Sequence, residues 1–98
     1  MAGLAFRAGR ALAGSAACEK GLMHHQICLL LIQQGLSENS IKQFTGLCER
    51  SDAEWMLIGP EDDLGAAIGR PGVMLVGITD AGFAKPIKKN YHGGSGFE

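Results

Sequence analysis

Apolar residues along this chain follow two signatures, short uninterrupted runs and stretches with a three- and four-residue period, and the two alternate. Leu4, Ala5, Ala8, Ala11 and Leu12 recur at helical spacing with Arg7 and Arg10 on the other side, which predicts an amphipathic helix ending near Gly14. Gly14-Ser15 reads as the start of a second helix, with Ser15 as its cap, Ala16 to Lys20 as its body and His24-His25 as its end. Residues 27–32 are all apolar and predict a strand covered on both faces, broken at Gly35. Ser37 then suits an N-cap and Glu38 the helix dipole. Ile41, Phe44, Leu47 and Cys48 line one face of the helix that follows.

The second half repeats the alternation. Residues 55–58 predict a strand closed by Gly59-Pro60, with Pro60 in the first turn of a helix that carries Leu64, Ala67 and Ile68 and stops at Gly69. Glu61, Asp62 and Asp63 crowd that first turn, where the dipole favours negative charge; the trio also has the chemistry of a metal site. Arg70-Pro71-Gly72 reads as a turn and residues 73–78 as a third apolar strand. Asp80 can cap a last helix bearing Phe83, Ile87 and Tyr91. Pro86 sits inside that helix, where proline costs about 3 kcal/mol or more unless a kink absorbs it. Helices alternating with fully apolar strands predict an α/β fold, a three-layer α/β/α sandwich with the strands of 27–32, 55–58 and 73–78 adjacent.

Length and composition narrow this picture. A chain of 98 residues supports one core, taken as residues 1–92 with a flexible glycine-rich tail at 93–98. The hydrophobic share of 46% against 19% charged is that of a folded domain, and the longest apolar run falls far short of the roughly twenty residues of a membrane span. Arg7 and Arg10 interrupt the apolar core that a secretory signal needs, so the expected location is the cytoplasm. The net charge of −1 conceals segregation: residues 37–63 carry seven acids against Lys42 and Arg50, while the flanking segments are both basic. A polyanion should therefore meet the two ends, with the acidic middle turned away.

Cys18, Cys28 and Cys48 form neither a disulfide framework nor a zinc knuckle; Cys28 and Cys48 read as small buried hydrophobes. His24, His25 and Cys28 lack a second ligand cluster, so no metal is expected. Gly65 to Arg70 follows a helix start, whereas a P-loop places its glycines between strand and helix. No nucleophile motif surrounds Ser37 or Ser40. The expectation is a binding protein without catalysis or small-molecule cofactor.

Several segments together resemble a known family: Leu4 to Arg10 followed by Gly14, then Ser37-Glu38-Asn39, Cys48, Leu64-Gly65-x-Ala67-Ile68-Gly69, and Gly77 to Lys85. This wording is similar to the YlxQ-type bacterial branch of the ribosomal L-seven-Ae and L-thirty-e superfamily, over about residues 4–89. The resemblance implies an α/β/α sandwich around a small mixed four-stranded sheet. It also implies a partner, structured RNA of the kink-turn type or ribosomal RNA, met on the ribosome or in a ribonucleoprotein. A kink-turn is a bent duplex with tandem sheared G·A pairs.

The resemblance further implies where RNA is met: at the turn and helix start of Gly14, Ser15, Ala16 and Ala17 with Lys20 beyond, and at the loop of Arg70, Pro71, Gly72 and Val73; Arg10, as a basic side chain, is expected to add a phosphate contact. Exposed amides at a helix start suit phosphate. On the family's Gly-x-Asn-Glu-x-x-Lys pattern, Gly14 and Lys20 match, but Ala16 and Ala17 stand where Asn and Glu help read purine edges. Gln33-Gln34-Gly35-Leu36 likewise replaces the branch's Ala-Ser-Asp-Ala. One base-reading pair gives about 1–3 kcal/mol of discrimination, so the departures imply weakened, shape-led reading. The alternative is the same sandwich used as a protein–protein module that has lost RNA recognition.

Overall fold

A computed structural model describes residues 2–59 and 62–90. Four strands, β1 (Ala11–Ala13), β2 (Leu29–Gln33), β3 (Glu54–Ile58) and β4 (Leu75–Ile78), form one mixed sheet in the order β1-β4-β2-β3. β2 and β3 are parallel, joined by the helix that separates them, while β4 runs antiparallel to both β1 and β2. The five helices are α1 (Ala2–Arg7), α2 (Ser15–Met23), α3 (Glu38–Arg50), α4 (Leu64–Ala67) and α5 (Ala81–Asn90).

The uninterrupted apolar strands follow from burial on both sides. Strand side chains alternate between faces. Leu29, Leu31, Met56, Ile58, Val76 and Ile78 pack with Ala5, Leu64, Ile68, Ala84 and Ile87 from α1, α4 and α5. Leu30, Ile32 and Leu75 pack with Cys18, Leu22, Phe44 and Cys48 from α2 and α3 on the other side. The three layers and the adjacency of the three long strands are as the apolar pattern predicts. Cys18 and Cys48 are fully buried, and burial pushes both thiols up to about 12, so they stay neutral packing groups. Cys28 is only half-buried, its Sγ facing the Ile78 carbonyl at 3.2 Å.

Several elements depart from the sequence expectation. The first helix ends at Arg7, because Gly9 turns the chain at φ 73, and Ala11–Ala13 become a strand opposite Ile78–Val76. Ser15 does not cap α2: Gly14, at φ 91, occupies the cap position and Ser15 is already helical. The strand expected at 27–32 begins at Leu29, although the Cys28 N–H still donates to Ile78 O. The strand expected at 73–78 begins at Leu75, since the Val73 N–H closes the preceding turn onto Arg70 O.

α4 starts at Leu64, later than Pro60, because Asp63 is its cap: Oδ1 accepts from the Ala66 N–H at 3.2 Å. That geometry settles capping as the role of Asp63 within the acidic trio. α5 runs through Pro86 and is preceded by Asp80, whose Oδ1 accepts from the Gly82 N–H. The expectations on Pro60, Glu61, Tyr91 and the tail at 93–98 lie outside the described residues.

Candidate nucleic-acid interface

The antiparallel pairing of β1 with β4 brings together two segments far apart in sequence. Ala13 lies opposite Val76, and one residue further the Gly14 N–H donates to Leu75 O at 2.9 Å. The start of α2 is thereby tied to the entry of β4. Between them is a cleft of about 350 Å³, lined by Gly14, Ser15, Leu36, Gly72, Val73 and Met74. Gly14, Ser15, Gly72 and Val73, all candidates from the sequence, therefore share one concave site.

Glycine is needed at its rim for a backbone reason. Gly14 combines φ 91 with ψ 160, a conformation essentially reserved for glycine, while an added Cβ would meet no neighbour. The constraint is torsional rather than steric. In that conformation Gly14 places its carbonyl to accept the Cys18 N–H at 3.0 Å, and no side chain caps the helix start. Ala16 is exposed and Ala17 half-buried on this first turn, so their short side chains leave the surface over the amides open. Lys20 is exposed on the next turn of the same helix.

The Arg70–Val73 loop is shaped by the Leu64-Gly65 step. A Cβ on Gly65 would lie 2.6 Å from Arg70 O and 3.1 Å from Gly72 N, so α4 and the loop approach backbone to backbone. The Arg70 N–H donates to Gly65 O at 2.7 Å, and Gly72 turns the chain at φ 88. Pro71 and Gly72 are exposed at the tip, and Val73 is half-buried in the cleft wall. The Arg70 guanidinium rests 5.0 Å from the centre of the Phe6 ring, drawn toward α1 by a cation–π contact.

Arg10 is not part of this assembly. It precedes β1, at the end of the strand away from Gly14, where its backbone carbonyl accepts from the Thr79 N–H and its side chain pairs with Asp80 at 3.6 Å. The three residues of β1 separate it from Gly14, four steps along extended chain or about 13 Å at 3.3 Å per step. The acidic segment also divides. Asp62 and Asp63 line a second cleft of about 360 Å³ that shares Gly72, Val73 and Met74 with the first, so they stand beside the candidate interface and not behind it. The reason is that α4, which Asp63 caps, must pack against the same loop.

Two residues outside the candidates named from the sequence also shape this region. Leu36 enters the cleft wall because α3 begins beside it, and Gln33 holds the α4 end, its Oε1 accepting from the Leu64 N–H at 2.8 Å. The sequence marked both only as part of the Gln33-Gln34-Gly35-Leu36 stretch, where the resemblance breaks.

Against known proteins, the chain is 28% identical over 85 residues to the RNA-binding protein YlxQ of Bacillus subtilis (strain 168), covering 87% of this chain and 85% of the relative. The similarity to YlxQ runs through most of both chains. The same likeness extends to three dimensions: a solved Bacillus halodurans C protein of unknown function superposes with a TM-score of 0.82 at 26% identity, over 90% of this chain and 89% of that one. No family model matches the chain. Among its described residues, no helix is long and apolar enough to cross a membrane.

Proposed function

We propose that the protein binds structured RNA of the kink-turn type through the cleft between the α2 start and the Arg70–Val73 loop, as a non-catalytic component of a ribosomal or regulatory ribonucleoprotein in the cytoplasm. The observation that carries this reading is the joining of Gly14-Ser15 to Gly72-Val73 around one cleft with an uncapped helix start. Free amides and the helix dipole attract phosphate there, and Lys20 adds a charge on the same helix. The likeness to a relative named as RNA-binding supports the same direction.

Recognition in this chain is led by shape and phosphate. Ala16 and Ala17 have no hydrogen-bonding groups for base edges, so amides and Lys20 supply attraction while the loop supplies fit. Arg70 serves the site by bracing the loop against Phe6.

A second reading, a protein-binding module on the same sandwich, draws support from Met23, which is 64% exposed beside Leu22 and Leu47 where α2 and α3 end. A mobility-shift titration with a kink-turn duplex and a control lacking the sheared G·A pairs separates the two. RNA binding predicts salt-sensitive retention of the intact duplex ahead of the control. Equal absence of binding to both favours the module.

A further inference from the structure

We propose that Gln33 is a positioning residue for this interface, holding the segment from α4 to β4 at both of its stems; the proposal rests on the RNA reading above. On the β4 side, the Gln33 backbone N–H donates to Met74 O at 2.8 Å, just past the loop. On the α4 side, its Oε1 accepts from the Leu64 N–H at 2.8 Å, while Nε2 donates to Asp62 O at 2.9 Å and Gly59 O at 3.3 Å. Carbonyls on one side of the amide and an N–H on the other define its orientation, and each end of the group is used. One residue thus clamps both ends of the stretch that carries Arg70 to Val73.

Transmission from the clamp to the loop is direct. Leu64 is fully buried, so its N–H has no water to replace Gln33. The next residue, Gly65, is the one that lies against the backbone of Arg70 and Gly72 and accepts from the Arg70 N–H. Any movement of the α4 start therefore moves the loop, and with it the cleft wall formed by Gly72, Val73 and Met74. Asp63 caps a different amide, that of Ala66.

The test is the Gln33→Met variant, which keeps the length of the side chain and removes its hydrogen bonds. Affinity for a kink-turn duplex should fall roughly tenfold, the order expected for one lost buried hydrogen bond. The salt slope should stay as in wild type, because no phosphate contact is removed. The amides of Arg70, Gly72 and Val73 should exchange faster with solvent.

Pairing Gln33→Met with Val73→Ala should lose less than the sum of the two, since both act through one loop, whereas pairing it with Lys20→Ala should be additive. Should Gln33→Met not fold, Gln33→Asn keeps an uncharged amide but shortens it by one methylene, so that it cannot span Leu64 and Asp62 together, and a loss with the same coupling pattern is expected. Wild-type affinity in a folded variant, or full additivity with Val73→Ala, overturns the positioning role alone. Failure of the wild-type protein to bind the duplex overturns the RNA reading, and this proposal with it.

Discussion

The starts of α2 and α3 lie close to one cleft yet are finished in opposite ways. At α3, Ser37 adopts an extended conformation and its Oγ accepts from the Ser40 N–H at 3.2 Å, with Glu38 in the first turn adding favourable charge. At α2, Gly14 supplies the turn and no side chain covers the amides; the first turn is Ser15, Ala16 and Ala17. α3 satisfies its own end and so serves the fold. α2 leaves its end open toward the cleft, the place proposed above for RNA, and forgoes the roughly 1 kcal/mol that a side-chain cap contributes.

The largest effect expected from this contrast is a gain. Ala16→Asn with Ala17→Glu restores hydrogen-bonding side chains over the α2 start, and each base-reading pair contributes about 1–3 kcal/mol. Discrimination for an intact kink-turn over its G·A-disrupted control should rise by about 2–6 kcal/mol in paired mobility-shift titrations. Unchanged discrimination would show that the open amides face no base.

Next in size is Gly14→Ala. Forcing an alanine into the glycine-only conformation at φ 91 and ψ 160 should cost about 1–3 kcal/mol, read as a lower midpoint in urea or thermal unfolding. RNA affinity should fall as well, because the α2 amides would turn away from the cleft. The matching change at the other helix, Ser37→Ala, should cost about 1 kcal/mol of stability and leave RNA affinity alone. If Ser37→Ala weakened RNA binding as much as Gly14→Ala, the division between a structural and a ligand-facing helix start would collapse.

The smallest effect concerns the far end of α3. Glu49 lies twelve residues beyond Ser37, about 18 Å along the helix and outside the roughly 8 Å screening length at physiological salt. Glu49→Lys should change RNA affinity by less than about twofold. Asp62→Asn, by contrast, removes a charge that lines the neighbouring cleft and should strengthen binding measurably in the same titration. A tenfold gain from Glu49→Lys would place the far end of α3 on the RNA.

How much of this was legible differs element by element. α3 announced itself through its cap and the spacing of Ile41, Phe44, Leu47 and Cys48, of which Phe44 and Cys48 are buried and the other two half-buried. β2, β3 and β4 were legible to within two residues, because a strand covered on both faces has no polar position to blur it. β1 was not. Ala11, Leu12 and Ala13 have the composition and spacing of a helix, and only their pairing with β4 makes them a strand. The candidate loop residues were placed by resemblance, and Arg10 was expected with them as a basic phosphate contact, whereas the extended β1 sets it apart from Gly14.

What the sequence determined by itself is local: where apolar runs and periods change, which residues can cap a helix, and where only glycine can turn the chain. Those depend on neighbours a few residues away. Only the tertiary structure decided that Gly14 meets Leu75, that Gln33 reaches both Leu64 and Met74, and that Asp62 stands beside the cleft. Each is a juxtaposition across the sheet, set by strand order and register. Strand order is decided by which arrangement buries both faces at once, a property of the whole core that no single segment of the chain carries.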